Sequence, residues 1–482
     1  MCTQKNESLL SLDELLRATG GALFGADGGK GAGGKGACVF TSVSTDSRTA
    51  EKGALFAALK GTSCDGHSFI EKACENGATV VLAMNSSVKD FSPLYEALAK
   101  RGVSVVLTEN TLHALQKAAA FYVAKFPALQ KIGITGSSGK TTVKECIASI
   151  LSQSYSVVMN RGNLNSETGL PLSVFNIRPY HQIGVFEMGM NRAGEIKELA
   201  DVLVPQTALI TNIGTAHIGI LGSTDNIAEE KKRIFSNFTA ECIGFVPEDD
   251  PYKEFLMRGV PGIMHTFGLG KKSPVTKVED AGLKGSRLFY KNLQIDFPLC
   301  GIHNAKNAAA AIAVAEHFGI APHKIKAGLE SVKPLSGRMQ ILEGDITIVK
   351  DCYNANPDSM GAAIDFLNSV RHPARKVLVL GDMFELGKSE GNAHARLVNK
   401  ALGSDAEFIV FAGKAFNKAF AEQKYAGGKK IMLIPDAESV EKCAPSLRAE
   451  LRPGDLVLIK ASFGMALGRL VPFLTDGREG AA

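Results

Sequence analysis

The chain lacks most of the marks of an exported or membrane protein. Its nine cysteines are scattered, odd in number and never spaced C-x-x-C, which argues for reduced thiols and against a disulfide frame or a zinc site. No apolar run approaches the roughly 20 residues needed to span a bilayer. The opening MCTQKNESLLSLDELL is polar and acidic, unlike a signal peptide. These features give the expectation of a cytoplasmic protein without a membrane span. Tryptophan is absent, which by itself decides nothing. A strong charge of one sign is also missing. The formal net charge is +5 and the basic residues are dispersed, so nucleic acid is not implied and anionic small molecules would fit equally well.

What is present is the composition of a soluble globular protein, 45% hydrophobic and 21% charged over 482 residues. At about 150 residues per domain that length predicts roughly three domains. Residues 1–125 mix short strands and helices, as in TSVSTDSR, ALFAALKG and ATVVLAM. A second unit, 126–332, opens at Phe126-Pro127 with the strand KIGIT and continues through QIGVFE, TALITNIG and ECIGFVP. A third, 333–482, opens at Lys333-Pro334 and alternates ITIVKD, KVLVLGD, EFIVFAG, KIMLIP and DLVLIKAS with helical stretches. Buried-type strands alternating with helices predict an α/β protein, with a mostly parallel central sheet and a doubly wound C-terminal one. Residues 20–37 are rich in Gly and Lys. There Gly29, Gly31 and Gly34 spell G-x-G-x-x-G, but no strand runs straight in and no helix follows, so a surface loop is expected.

The strongest local signal is Gly133-Ile-Thr-Gly136-Ser137-Ser138-Gly139-Lys140-Thr141-Thr142. It follows an apolar strand and starts a helix, the context a phosphate-binding loop needs. Glycines let backbone N–H groups turn inward, and the helix N-terminus adds a positive dipole end. Lys140 brings a charge for the terminal phosphates and Thr141 a hydroxyl for Mg²⁺. Two further residues fall where ligands of parallel sheets bind, just beyond strand C-termini: Glu187, closing QIGVFE, and His217, past TALITNIG. Either alone would be ordinary; together, after a phosphate loop, they form a candidate metal site.

The loop's spelling departs from the common form, because Ile134 stands where its first glycine should be. It resembles instead the T-G-[ST]-x-G-K-[ST] variant of the Mur ligases and folylpolyglutamate synthetases. Other segments extend the resemblance to the Mur ligase family. Glu187 and His217 match its E-x-G…A-H pattern, in which both residues ligate magnesium. Lys231, in Lys231-Lys-Arg-Ile-Phe, takes the place of a lysine carbamylated by CO₂, which supplies oxygens to a second Mg²⁺; Lys232 does not fit that spacing. Asn163, Asn165 and Thr168 fall in the segment lining the channel to the substrate carboxylate. His303, Asn304 and Asn307 match G-x-H-N-x-x-N, which approaches adenine. Arg338 matches the arginine that reaches the terminal phosphates.

In the third unit, Asp351, Asn354, Asn356 and Pro357 lie in D-x-Y-N-A-N-P-x-S-M, and residues 379–387 in V-L-G-D-M-x-E-L-G. Ser47, Arg48, Lys60, Gly61, Asp65 and His67 resemble the UDP-substrate segment of the first domain, which folylpolyglutamate synthetases lack. The Tyr-Asn-Ala-Asn-Pro spelling, with no D-N-P-R, sides with the members that add a dipeptide rather than diaminopimelate or lysine. The resemblance spans about residues 42–470. It implies an ATP-dependent ligase that joins D-alanyl-D-alanine to a UDP-N-acetylmuramoyl-tripeptide through an acyl phosphate, binding no nucleic acid and working as a monomer. Lys140, Glu187, His217 and Lys231 would carry the chemistry. One departure stands out: the family's K-G-S-R appears as Lys460-Ala-Ser-Phe463, which loses a glycine and an arginine. A P-loop switch GTPase is a poorer match, since no N-K-x-D follows the loop.

Overall fold

The computed structural model describes residues 8–25, 39–61, 64–271 and 273–475. Gly29, Gly31, Gly34 and the rest of 26–37 lie outside the described residues. The beginning of that expected loop is not a loop. Ala22–Leu23 pairs antiparallel with Ser104–Thr108 as the edge of a sheet. A two-residue strand between glycines carries too little pattern to be read from sequence.

That first sheet has five strands, in the order Ala22–Leu23, Ser104–Thr108, Ala78–Met84, Ala54–Ala57, Ser42–Ser44. Beyond the edge pair all neighbours are parallel. Its middle strands are continuous apolar runs because both faces are covered. The helix Thr111–Ala124 begins at Asn110, whose side chain accepts from the His113 N–H. It ties this sheet to the next unit: Leu115 and Tyr122 share a core with Leu170 and Phe175, and the Tyr122 hydroxyl donates to Ile177 O at 2.7 Å.

The central sheet has six strands, all parallel, in the order Ile263–Phe267, Ile243–Pro247, Thr207–Ile210, Gln130–Thr135, Ile183–Glu187, Val157–Met159. Gln130–Thr135 is thus flanked by Ile183–Glu187 and Thr207–Ile210. Register sets Glu187 opposite Ile134 and Ile210 opposite Thr135, so all three strands end at one edge. Helices Lys140–Leu151 and Ile302–His317 pack in one core against this sheet. An antiparallel meander, Val275–Asp280, Ser286–Tyr290 and Leu293–Phe297, joins the same core; no signal in the sequence anticipates it.

The last sheet runs Gln340–Leu342, Thr347–Asp351, Leu456–Lys460, Lys376–Gly381, Phe408–Ala412, Lys430–Ile434. It is parallel except for Gln340–Leu342, which forms an antiparallel pair with Thr347–Asp351. Its two faces are covered by separate apolar cores, the doubly wound arrangement expected.

Candidate active site

Between the central and C-terminal units lies a cavity of about 770 Å³. Its floor is the phosphate loop. Gly136 has φ +148° and Gly139 φ +78°, and neither position tolerates a side chain. A Cβ on Gly136 would sit 1.8 Å from Thr211 Oγ1, and one on Gly139 2.5 Å from Asn307 Oδ1. The loop is pinned from the neighbouring strand end. Thr211 Oγ1 donates to Ser138 O at 2.6 Å, and the backbone N–H groups of Ser137 and Ser138 donate to Asn212. Lys140 Nζ donates to Gly136 O at 2.8 Å. The protein surrounding this amine pushes it below the usual lysine range, Glu187 works the other way, and Arg338 adds to the depression.

Glu187 organises the site. It is 2% exposed; one carboxylate oxygen accepts from Thr141 Oγ1 at 2.7 Å and the other from Asn165 Nδ2 at 2.6 Å. Its backbone is clamped by the side chain of Asn160. Glu187 N–H donates to Asn160 Oδ1 at 2.9 Å, and Asn160 Nδ2 donates to Glu187 O at 3.0 Å. Behind Asn160, the buried Lys144 donates to Asn160 O at 2.8 Å. Nothing local in the sequence singles out Asn160 or Lys144, because their partners lie on other strands and loops.

His217 has φ +64°, a left-handed conformation uncommon for residues other than glycine. Its Nδ1 stands 2.6 Å from Glu385 Oε2 of the C-terminal unit, and this contact holds the Glu385 carboxyl below the usual carboxylate range. On the same loop, Thr215 N–H and Oγ1 donate to Asp358 Oδ2 at 2.8 and 2.9 Å. A hydroxyl, a carboxylate and an imidazole at strand ends beside a phosphate loop are the oxygen-rich donor set that suits magnesium with a nucleotide. Among the described residues, no three acidic, histidine or cysteine side chains cluster closely enough to hold a metal by themselves, so a set completed by Thr141 and by substrate oxygens fits better than a closed cage.

Lys231 lies just behind the wall rather than on it. It is 1% exposed, and its Nζ is 3.9 Å from the sulfur of Met190, which does line the cavity. Burial pushes its amine well below the usual lysine range, and the Lys140 charge adds to this. Neighbouring Glu230 does not neutralise it by contact; that carboxylate accepts from Gly194 and Ile196 N–H instead. Lys232, by contrast, points outward and donates to Phe255 O and Arg258 O.

The remaining expected residues divide. Ser137, Ser138, Thr142, Asn163, His303, Asn304, Asn307, Arg338, Asp351, Asn354 and Asn356 line the cavity with those above. Arg338 lies over the Tyr353 ring at 4.0 Å, and Asp351 receives Lys460 Nζ at 2.6 Å. Gly136, Thr168 and Pro357 are not on the wall. Pro357 opens the helix Pro357–Ser369 after the Asn356 cap, a position that suits its fixed φ.

The first-domain residues lie elsewhere. Asp46 caps the turn at Ser47 and chelates Arg48. Lys60 and Asp65 pair through their backbones as an isolated antiparallel β-bridge, next to Gly61. His67 is buried, with Nδ1 2.6 Å from Asp65 and Nε2 accepting from Met84 N–H, so it braces its own loop. A second cavity, about 340 Å³, is walled instead by their neighbours Ser44, Thr45 and Asp46 together with Phe175, Asn176 and Arg178 of the central unit.

A phosphate loop on a parallel sheet, closed by a second doubly wound unit across a cleft, defines a nucleotide-dependent enzyme. Family models agree on which. The Mur ligase family catalytic domain matches residues 39–122, the Mur ligase middle domain 134–315, and the Mur ligase glutamate ligase domain 337–463. The chain is 44% identical to the UDP-N-acetylmuramoyl-tripeptide–D-alanyl-D-alanine ligase of Treponema pallidum, covering 98% of this chain and 100% of that one. It is 35% identical to the Bacillus subtilis protein of the same name, over 91% and 94%. Among solved structures it superposes on MurF from Acinetobacter baumannii with a TM-score of 0.84 at 28% identity, covering 98% and 100%. For MurF from Thermotoga maritima in complex with ADP the TM-score is 0.74 at 27% identity, over 90% and 97%. The chain belongs to the Mur ligase family, whose enzymes use ATP and Mg²⁺.

Proposed function

We propose that this chain joins D-alanyl-D-alanine to UDP-N-acetylmuramoyl-tripeptide, consuming ATP and releasing ADP and phosphate. The observation that carries the chemistry is the convergence of Lys140, Thr141, Glu187 and His217 on one cavity. The full-length likeness to ligases of that name supports the choice of substrates.

A carboxylate is a poor electrophile. Transfer of the γ-phosphoryl group to the tripeptide's terminal carboxylate gives an acyl phosphate; the dipeptide amine then attacks its carbonyl carbon, phosphate leaves, and the amine loses a proton. Such transfer needs positioning and charge neutralisation more than covalent help. Lys140 and the N–H groups that open its helix hold the terminal phosphates, Arg338 approaches them from the C-terminal unit, and Asn163 and Asn165 face the acyl channel. Magnesium, held by Thr141, Glu187 and His217, would draw charge off the phosphate oxygens.

Lys231 fits a carbamate. Carbamylation needs a neutral amine, which burial favours here; Nζ bonds to the carbon of CO₂, loses a proton and becomes an anionic oxygen donor. In this reading residues 1–125 bind the UDP-linked substrate, 126–332 the ATP, and 333–482 close over both. The enzyme works as a cytoplasmic monomer, where ATP and UDP-sugars are made. The test is ADP release by the purified chain, which should require both the UDP-muramoyl tripeptide and D-alanyl-D-alanine. Equal turnover with L-lysine or diaminopimelate would overturn the assignment.

A further inference from the structure

The loop carrying His217 is gripped by the C-terminal unit at two points. Asp358 takes Thr215 through backbone and hydroxyl. Glu385 takes the other end twice, with its backbone O accepting from Gly219 N–H at 2.9 Å and its carboxylate 2.6 Å from His217 Nδ1. The second grip is built closely. A Cβ on Gly219 would lie 2.5 Å from Glu385 O, and one on Gly387 would lie 2.8 Å from Gly219 Cα, so two glycine backbones touch across the domain boundary. His217 and Glu385 both hold positive φ, 64° and 62°, conformations that persist only where their surroundings over-determine them. His217 Nδ1 is buried, and no described group, Glu385 included, meets it with full hydrogen-bond geometry; the 2.6 Å approach of the Glu385 carboxylate is a close charged contact.

We propose that Glu385 is the positioning residue for His217: the C-terminal unit, on docking, fixes the imidazole with Nδ1 as donor and Nε2 facing the cavity. A carboxylate behind a histidine sets its tautomer and raises its basicity as a ligand. Completion of the metal site is thereby coupled to docking of the C-terminal unit, because the orienting group comes from across the domain boundary. The coupling to metal rests on the reading of His217 as a magnesium ligand; the positioning itself does not.

The test uses the full chain labelled with ¹⁵N-histidine, free of metal, with His217 assigned by loss of its signals in His217→Asn. Long-range ¹H–¹⁵N correlations should show the neutral ring with its proton on Nδ1. Glu385→Ala, which keeps the backbone bond to Gly219, should shift the ring toward the other tautomer, and Glu385→Gln, which keeps an acceptor, should restore most of the bias. The Mg²⁺ concentration for half-maximal ADP release should rise about 10- to 100-fold in Glu385→Ala, with little change in KM for the dipeptide. An unchanged tautomer in Glu385→Ala would overturn the proposal. A changed tautomer with an unchanged Mg²⁺ requirement would support the positioning and overturn the metal role of His217.

Discussion

Replacing Asn160 by Ala should damage the site from behind without touching any group in the cavity. Asn160 is 2% exposed and its amide makes three hydrogen bonds, to Glu187 N, Glu187 O and Leu164 O, at 2.9, 3.0 and 2.8 Å. At a net value of about 1 kcal/mol each, their loss removes about 3 kcal/mol of local stability, and more if water fails to re-satisfy the buried groups. The loss falls on the segment holding Glu187 rather than on the whole fold. Hydrogen exchange should therefore speed up at the Glu187 amide by about two orders of magnitude, since 1.4 kcal/mol is a factor of ten. Exchange in the C-terminal sheet should not change. Turnover should fall about 10²-fold with nucleotide affinity less affected, because in the proposed reaction Glu187 acts where charge develops. Asn160→Asp is the sharper control: it keeps an acceptor for Glu187 N–H but sets a carboxylate against two carbonyl oxygens, and should be no better than Ala. Normal exchange at Glu187, or full activity in Asn160→Asp, would refute the clamp.

Lys231→Ala should lose most turnover while binding ATP, and added acetate should restore part of the rate by supplying oxygens; Lys232→Ala, which removes outward bonds to Phe255 O and Arg258 O and a contact over the Phe255 ring, should be nearly silent in a steady-state assay. Gly136→Ala places a Cβ 1.8 Å from Thr211 Oγ1, and overpacking of about 1–3 kcal/mol should weaken nucleotide binding roughly ten- to a hundredfold by calorimetry. Burial pushes the thiol of Cys74 up to about 11 and that of Cys146 higher still. Both should stay protonated and resist iodoacetamide at pH 8 in a mass-mapped alkylation, while exposed Cys64 reacts.

The parts legible in the sequence are those whose physics is local. KIGIT followed by the glycines, Lys140 and a helix can be read as a phosphate loop because strand, turn and helix are contiguous. Glu187 and His217 stand out because parallel strands deliver their C-terminal ends to one edge, whatever the details of packing. The first-domain residues show the converse. Asp46 with Arg48, and Asp65 with His67, are polar motifs whose side chains bond to one another, and of these four only Asp46 walls the nearby cavity. The meander from Val275 to Phe297 escapes notice because its strands are short and largely exposed on one face. Asn160 could not be found locally at all, and Glu385, though inside the 379–387 segment, could be given no role there, since each acquires its role only from a partner that folding brings to it.

What the fold adds is a single carboxylate that fixes two distances. Glu187 accepts Thr141 on one oxygen and Asn165 on the other. The first belongs to the helix that begins at the phosphate loop, the second to the segment we propose faces the acyl channel, which Asn160 also ties down through Leu164 O. The phosphate loop and that segment are therefore referred to the same residue at the end of the same strand, and that residue is clamped through its backbone. In-line phosphoryl transfer is intolerant of misplacement, so a displacement of about 1 Å can reduce the rate a hundredfold. A site built from separate loops could let the two ends drift independently. Here a shift of Glu187 moves both, which is why the buried amide behind it matters as much as the groups in the cavity.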